Sequence, residues 1–404
     1  MTRLVANAWH LAAGLTLSAA GVFTPCNAVL AATDQTIFVQ DGNAGFVVTY
    51  IEYALSKDAK DTGACPAGMT KGNLSLDVPA NGAGEKRLEG AAAEEAQRRA
   101  IGELLKKNPC GHPAEDGPDA NYHTVTGRNV PVYGIDLDGQ VSTSKSKPAP
   151  GRCSHEDFVG MNGERGIDNQ FFRVVGCSNS YQSTGLSNGW NTEMLTGAWG
   201  ILITLSGVDD IMNDADVEVG IYANADPIEL SPVREPLSNA TYAIDQDPRF
   251  QAKTHGRIVK GVLTTDPVNV RFHKVTNSIY LERNLNDARL QMTLSKDGVL
   301  EGYLGGYTPV DDLYDFQYGF RNGKNAKGEP ADPRLIAISS NGQAAVLGHS
   351  CNGAYYALHE FADADPDPST GKCESISTQY RIKAIPAFVV NAQTKSLNDD
   401  LKSK

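Results

Sequence analysis

The sequence has no C-x-x-C pair, no C-x-x-C-H motif and, after its first 32 residues, no apolar run long enough to span a bilayer. The first absence excludes thioredoxin-like redox chemistry, and the second excludes covalently attached c-type haem. Basic residues are also scarce, with 36 Lys and Arg against 48 Asp and Glu and a net charge of −12. Such an acidic surface repels nucleic acid and anionic membranes and is compatible with binding divalent cations.

The first 32 residues have the pattern of a cleavable export signal. Arg3 precedes an apolar run at 11–23, and Ala31 and Ala32 supply the small residues that signal peptidase requires. Polar and small residues interrupt the run, so it is too short for a membrane anchor. We therefore expect an exported protein, periplasmic or extracellular, with no membrane span once residues 1–32 are removed.

Cysteine usage agrees with export. Cleavage of the signal removes Cys26 and leaves six cysteines, an even number that predicts three disulfides in an oxidising compartment. Sequence alone does not resolve how they pair. The simplest expectation joins nearest neighbours: Cys65 with Cys110, Cys153 with Cys177, and Cys351 with Cys373.

The hydrophobic pattern predicts a mainly β protein with α+β additions. Seven short β-branched and aromatic runs are separated by turn residues at roughly 8–12-residue spacing, apart from one long loop at 225–255. The predicted strands lie at 199–205, 217–222, 257–263, 268–273, 278–282, 288–294 and 299–304. This pattern predicts an antiparallel β-sandwich, either jelly-roll or immunoglobulin-like. Two helices are expected, at about 85–107 and 343–361. Lys106 and Lys107 suit the C-terminal end of the first helix, and Pro109 stops it. The expected organisation is a signal peptide (1–32), an N-terminal α+β segment (33–150), a disulfide loop plus sandwich (151–310), a C-terminal α+β segment (311–395) and a flexible tail (396–404).

An acidic loop near the C-terminus is a candidate calcium site. Asp363, Asp365, Asp367 and Glu374 occupy relative positions 1, 3, 5 and 12, the spacing that wraps oxygen ligands around calcium. Pro368 stands where the standard loop has glycine, so a solvated acidic turn is the alternative. Weaker candidates for a metal site are Asp136 and Asp138 in one cluster, and Asp209, Asp210, Asp214 and Asp216 in another.

The segment 153–170 gathers titratable and amide side chains in one loop. Hydrolysis by side chains needs paired titratable groups in one pocket, and loops often carry binding residues. The candidate acid/base residues are His155, Asp157 and Asp168, and the candidate ligand-binding residues are Asn169 and Gln170. The alternative is a loop whose polar groups satisfy one another and the nearby backbone.

The same segment resembles uncharacterised exported bacterial proteins that share a Cys…Asp-Phe…Gly-Ile-Asp-Asn-Gln run, matched here from Cys153 to Gln170. The resemblance extends to residues 347–353 and 384–388. No activity is attached to those proteins. The resemblance therefore implies export and no mechanism.

These observations favour an exported, non-enzymatic binding or accessory module with disulfide-braced loops and calcium as a candidate cofactor. Its expected partner is an unidentified ligand or envelope protein. Two alternatives stay open at this point. One is an extracytoplasmic hydrolase that uses the carboxylates and histidine of the 153–170 loop, and the other is a scaffold subunit of a periplasmic envelope or electron-transfer complex.

Overall fold

A computed structural model describes residues 38–57, 62–70, 90–127, 129–182, 185, 190–195, 197, 199–348 and 350–391. The predicted signal peptide with Cys26, and the predicted tail at 396–404, lie outside the described residues.

The described residues form fifteen strands. In chain order they are β1 (Asn43–Tyr53), β2 (Pro131–Val132), β3 (Phe158–Gly160), β4 (Arg165–Ile167), β5 (Ile201–Ser206), β6 (Asn213–Ala223), β7 (Thr241–Ala243), β8 (Gln251–Val259), β9 (Val262–Thr265), β10 (Val268–Thr276), β11 (Ile279–Leu294), β12 (Leu300–Pro309), β13 (Ala364–Pro366), β14 (Cys373–Pro386) and β15 (Phe388–Val390).

Eight of these strands form a closed ring of antiparallel neighbours, in the order β1, β5, β6, β8, β9, β11, β12 and β14. The ring closes because β14 pairs with β1 as well as with β12, for example at Ile382 with Ile51. The predicted mainly antiparallel β fold is confirmed. A sandwich of two sheets is not confirmed, because the pairings join strands from all three predicted segments into a single sheet.

Strand β11 illustrates why these residues form the ring. Ile279, Leu281 and Leu285 are buried and alternate with partly exposed residues, as expected of a strand with one face in the core. The first half of β11 pairs with β10, and its second half pairs with β9 and β12. The sequence predicted two strands here, at 278–282 and 288–294, and the structure has one.

The sequence also predicted a single strand at 257–263, but in the structure the turn between β8 and β9 lies within that range. Lys260 and Gly261 both have positive φ angles, of 52° and 77°, and they connect an antiparallel hairpin. Consecutive positive φ angles are typical of a type I′ turn, which matches the twist of the flanking strands. The predicted single strand is therefore two antiparallel strands joined by a turn.

Six α-helices are described: α1 (Ala91–Lys107), α2 (Gln170–Val175), α3 (Trp190–Leu195), α4 (Val310–Tyr314), α5 (Pro333–Leu347) and α6 (Cys351–Glu360). The predicted helix at 343–361 is split, because Gly348 ends α5 with a φ of 69° and the Ser350 side chain caps α6. No helix in the described part of the chain is long and apolar enough to cross a membrane.

The three predicted disulfides form, but the nearest-neighbour pairing is wrong. The bonded pairs are Cys65–Cys177, Cys110–Cys351 and Cys153–Cys373, with sequence separations of 112, 241 and 220 residues. The last pair shows the reason. The Cys153 amide donates to the carbonyl of Asp363 at 2.8 Å, and β13 pairs with the start of β14, so distant segments meet at Cys373.

A small sheet of β2, β3 and β4 positions the residues of the candidate site. β2 runs parallel to β3, and β3 runs antiparallel to β4. The loop at 133–157 leaves β2 and returns into β3, and α2 follows β4 after only two residues. The 153–170 segment therefore contributes two strands to this sheet, and its last residue is bonded to β14, because the Gln170 amide donates to the Ser377 hydroxyl at 2.8 Å.

Candidate metal centre

The loop before β3 brings one histidine against two carboxylates. His155 Nε2 lies 3.0 Å from Asp168 Oδ1 and 3.0 Å from Asp157 Oδ1. Its other ring nitrogen, Nδ1, lies 2.9 Å from the carbonyl oxygen of Cys153. A carbonyl only accepts hydrogen bonds, so Nδ1 carries a proton and Nε2 is the atom presented to the carboxylates.

The backbone fixes Asp168 in place. Its Oδ2 accepts from the amides of Leu137, at 2.6 Å, and Asp138, at 3.2 Å. Gly166, two residues earlier, has a φ of 85°, and a Cβ there would lie only 2.7 Å from the carbonyl oxygen of Gln140. Glycine therefore permits the close approach of β4 to the turn at 136–140, which delivers Asp138 to the centre.

Asp138, His155 and Asp168 form the one group of metal-ligating side chains found in the described part of the chain. Each offers a ligand atom, and these atoms lie within 4.8 Å of one another. One ion could bind all three atoms at about 2.0–2.2 Å if the three side chains moved slightly closer together.

Several buried oxygen atoms around this group have no hydrogen-bond partner among the described residues. They are Oδ2 of Asp138, Oδ1 of Asp157, Oδ2 of Asp363 and the hydroxyl of Tyr307. A buried polar atom left without a partner costs roughly 1–3 kcal/mol. Asp157 is nearly fully buried and its unpartnered oxygen is the one that lies beside His155, because the single N–H on Nε2 is directed at Asp168.

The charges of the cluster perturb its pKa values. Burial lowers the pKa of His155, but its close contacts with the carboxylates of Asp157 and Asp168 and the charge of Asp363 outweigh burial and raise the pKa to about 11. Burial raises the pKa of Asp168 to about 7, against the stabilising contact with His155. Burial likewise raises the pKa of Asp363 to about 6. In the absence of a metal, the cluster therefore binds protons tightly.

One further cation lies beside the cluster. Arg152 Nη2 donates to Asp287 Oδ2 at 2.8 Å, and the guanidinium carbon lies 3.9 Å from the ring centroid of Tyr307. Its charge contributes to lowering the pKa of Asp363. Because Arg152 is already paired with Asp287, it offsets the negative charge of the four carboxylates around His155 only in part.

The donor set indicates the class of cation. Calcium prefers an all-oxygen site, whereas one imidazole nitrogen with carboxylate oxygens suits zinc, manganese or iron. The hydrogen bond from Nδ1 to a backbone carbonyl is the outer contact that metal-bound histidines usually make, since it fixes the tautomer and the ring. The residues present therefore fit a divalent transition metal.

The predicted calcium loop is not gathered around one point. Asp363 is buried, and its Oδ1 accepts from the Ser377 amide at 2.7 Å. Asp367 Oδ1 instead accepts from the amides and hydroxyls of Ser369 and Thr370 within its own turn. Residues 364–366 form a strand paired with β14, and a strand advances about 3.3 Å per residue, which spreads the side chains apart. Asp365 and Glu374 are exposed.

The weaker acidic clusters divide between two roles. Asp138 belongs to the centre, and Asp136 Oδ1 accepts from the Gly139 amide at 2.6 Å within its turn. In the other cluster Asp214 accepts from the amides of Asp209 and Asp216, at 2.7 and 3.1 Å, and Asp210 accepts from the Met212 amide. Those aspartates bond the backbone of an exposed turn, which is their ordinary use in such positions.

Asn169 and Gln170 are buried and bonded within the fold. Asn169 caps α2 through Phe172, and its amide donates to the carbonyls of Ala54 and Tyr133. The Gln170 amide donates to the carbonyl of Glu156 at 3.0 Å, and its oxygen accepts from Arg173. Both side chains are thus occupied by internal contacts, as the alternative interpretation of this loop expects.

Sequence reasoning missed Tyr307 and Arg152, which lie on β12 and on the turn before the cysteine. Neither residue belongs to a spacing pattern, because the contact between them depends on how β12 passes the 151–153 turn.

Comparison with protein-family models, curated proteins and solved structures finds no match. The resemblance to exported bacterial proteins stays a prediction.

Proposed function

We propose that this chain is an exported binding module whose loops hold one divalent transition-metal cation, with His155, Asp138 and Asp168 as ligands and Asp157 as a fourth. The convergence of these side chains on His155 Nε2, with Nδ1 anchored on a carbonyl, carries the proposal. Three disulfides support an extracytoplasmic location, since such bonds persist in oxidising compartments.

Burial favours a bracing role for the cation over hydrolysis. The side chains of His155, Asp157 and Asp168 are 5%, 3% and 0% exposed. They do not line the clefts bounded by Arg249 and Arg271, by Tyr303 and Arg381, or by Phe38 and Tyr222. Acid/base hydrolysis requires these groups to reach a substrate, so the His155–Asp168 pair lacks the access that a hydrolase needs.

The cation would tie together three pieces of chain that have no covalent link at this point. Asp138 comes from the turn after β2, His155 from the loop before β3, and Asp168 from the end of β4. The disulfide between Cys153 and Cys373 adjoins this centre and anchors the same loop to β14. A metal and a disulfide together would hold the loops rigid for a ligand or an envelope partner.

Metal titration of the apoprotein tests the proposal. Protein stripped with chelator, with its disulfides intact, is titrated with zinc, manganese and calcium by calorimetry and followed by thermal melting. We expect one equivalent of zinc or manganese to bind more tightly than calcium. At 100 times the dissociation constant the melting temperature should rise by about 3 °C.

Paired variants make the result specific. The His155→Gln and Asp168→Asn variants should lose the response, whereas Asp365→Asn should keep it. His255→Gln is a matched control, because His255 Nδ1 contacts Asp216 at 2.7 Å in a histidine–aspartate pair on the exposed surface. Absence of stoichiometric binding by any of the three cations, or an unchanged response in Asp168→Asn, contradicts the proposal.

A further inference from the structure

A cleft on the outer face of the ring is lined by three tyrosines, and we call it the tyrosine cleft. Tyr50 lies on β1, Tyr133 in the loop after β2, and Tyr303 on β12. Its volume is about 510 Å³, within the range of about 300–1,000 Å³ that small-molecule sites occupy. Tyr50 is 39% exposed, although burying an aromatic ring usually stabilises a protein. The cleft therefore offers both space and aromatic surface to a ligand.

The strand register aligns polar side chains along this cleft. Residues at alternate positions of a strand point to the same face, and Arg381 and Lys383 lie on the outer face of β14, on either side of buried Ile382. Their cross-strand neighbours complete two rows that run from β1 through β14 and β12 to β11. One row is Tyr50, Lys383, Glu301 and Thr293, and the other is Glu52, Arg381, Tyr303 and Gln291. With about 4.8 Å between strands, each row is about 14 Å long, which suits an elongated ligand.

Contacts between these side chains hold the cleft in shape. The Tyr50 hydroxyl donates to one oxygen of Glu52 at 2.5 Å, and Arg381 Nη1 donates to the other at 2.8 Å. The guanidinium carbon of Arg381 lies 4.3 Å from the ring centroid of Tyr133. Long exposed side chains normally lose rotamer freedom when they bind a ligand, and these contacts have already restricted that freedom. The tyrosine cleft is thus preorganised for binding.

The charges of the two rows balance. Arg381 and Lys383 are the cations, and Glu52 and Glu301 are the anions. Lys383 lies opposite Glu301, and Arg381 is bonded to Glu52, so the rows have no net charge with which to attract an ion. An anionic ligand would also meet the net charge of −12 that the sequence carries. The lining therefore favours a neutral ligand.

The polar groups of the lining match hydroxyls. Arg381 and Lys383 only donate hydrogen bonds, Glu301 only accepts them, and the side chains of Gln291 and Thr293 do both. A hydroxyl donates and accepts at once, so a ligand with many hydroxyls can satisfy all of these groups. Saccharides also have C–H faces, which pack on aromatic rings such as those of the three tyrosines. Aromatic rings beside balanced donors and acceptors therefore indicate a neutral saccharide.

We propose that the tyrosine cleft binds a neutral linear oligosaccharide of about two or three sugar rings. The rings of Tyr50, Tyr133 and Tyr303 pack against its C–H faces, and the two polar rows bond its hydroxyls. The inference rests on the proposed function only because it supplies a ligand class for a binding module. The cleft shares no residue with the metal centre and needs no metal.

Saturation-transfer NMR and calorimetry test the cleft, with the protein kept in chelator. The probes are maltotriose, cellotriose and triacetylchitotriose, which are neutral trisaccharides of different composition and linkage. At least one should bind, and the C–H protons on its ring faces should receive the strongest saturation. Trigalacturonate, an anionic trisaccharide, should bind at least about tenfold more weakly than that probe.

Variants assign the binding to the tyrosines. Tyr50→Ala should weaken binding of the same probe about tenfold, since it removes one ring from the cleft. Tyr50→Phe keeps the ring and should stay within about threefold of the wild type. Tyr280→Ala is a matched control that should leave binding unchanged, because Tyr280 lines a different cleft, beside Arg249 and Arg271.

Three results overturn the proposal: no binding of any of the neutral probes, equal affinity for trigalacturonate, or unchanged affinity in Tyr50→Ala. Metal titration separates this failure from a failure of the metal centre. A protein that binds zinc but no trisaccharide contradicts the saccharide cleft alone. A protein that binds a trisaccharide in chelator but no divalent cation contradicts the metal centre alone.

Discussion

The contribution of His155 to the stability of the metal-free protein should decrease progressively as the pH rises above neutrality. The folded-state pKa is raised to about 11 from 6.5, because Asp157, Asp168 and the charge of Asp363 outweigh burial. A raised pKa contributes stability that is complete below pH 6.5 and is lost as the pH rises toward 11. Asp138 and the Cys153 carbonyl also face the ring and do not oppose this direction.

The size of this pH dependence follows from the single proton that the folded chain retains on His155. Between pH 7.5 and 9.5 the unfolded chain has released the His155 proton, while the folded chain retains it, so the free energy of unfolding falls by about 1.4 kcal/mol per pH unit. Lys274 opposes this trend, because its folded-state pKa is lowered to about 8 from 10.5 and its contribution to stability therefore rises over the same range. The total slope of the wild type is thus small.

A difference measurement isolates His155. Urea unfolding of the wild type and of His155→Gln, both in chelator, gives a difference in the free energy of unfolding at each pH. This difference should shrink by about 1.4 kcal/mol per unit from pH 7.5 to 9.5, because the Lys274 contribution cancels. When the wild type is measured in saturating zinc, this difference should no longer shrink with pH, since the metal displaces the His155 proton. A difference that does not vary with pH in chelator refutes the reasoning.

Three further predictions concern single contacts. Tyr307→Phe should be neutral or stabilise the metal-free protein by up to about 1 kcal/mol in urea unfolding, because the buried hydroxyl has no partner among the described residues; a loss above 1 kcal/mol contradicts this. Asn169→Ala should cost about 2–4 kcal/mol, since it removes a helix cap and two carbonyl partners, whereas exposed Asn162→Ala should cost less than about 1 kcal/mol. Replacing Cys153 and Cys373 together by alanine should cost roughly 5 kcal/mol, for a loop of 220 residues, and weaken zinc binding measured by calorimetry; unchanged stability would contradict it.

Local patterns predicted the parts of the fold that depend on near neighbours in the chain. Alternating runs identified the strands, and Pro109 with Lys106 and Lys107 marked the end of α1. The contact between His155 and Asp168 was also within reach, because both belong to one loop and are separated by thirteen residues.

Contacts between distant segments could not be predicted in this way. Pairing of β1 with β14 joins Glu52 to Arg381, more than three hundred residues away, and no local pattern encodes that closure. The same limit explains the disulfide error, since cysteine spacing says nothing about which strands become neighbours. The same limit explains why the sequence indicates Asp138 only as a weaker candidate. Asp138 is held at the centre by the hydrogen bonds that the amides of Leu137 and Asp138 donate to Asp168, thirty residues further along the chain.

The proposed metal site follows from an imbalance of buried charge. Asp138, Asp157, Asp168 and Asp363 gather around His155, so this part of the described chain has more carboxylates than cations. A protein with a net charge of −12 would destabilise itself by concentrating acid in its interior unless a cation compensates. Without a metal, protons supply that compensation, since burial raises the pKa of Asp168 to about 7 and that of Asp363 to about 6. Zinc should therefore displace protons when it binds, and calorimetry in buffers of different ionisation enthalpy should detect their release; zinc binding without proton release contradicts this account.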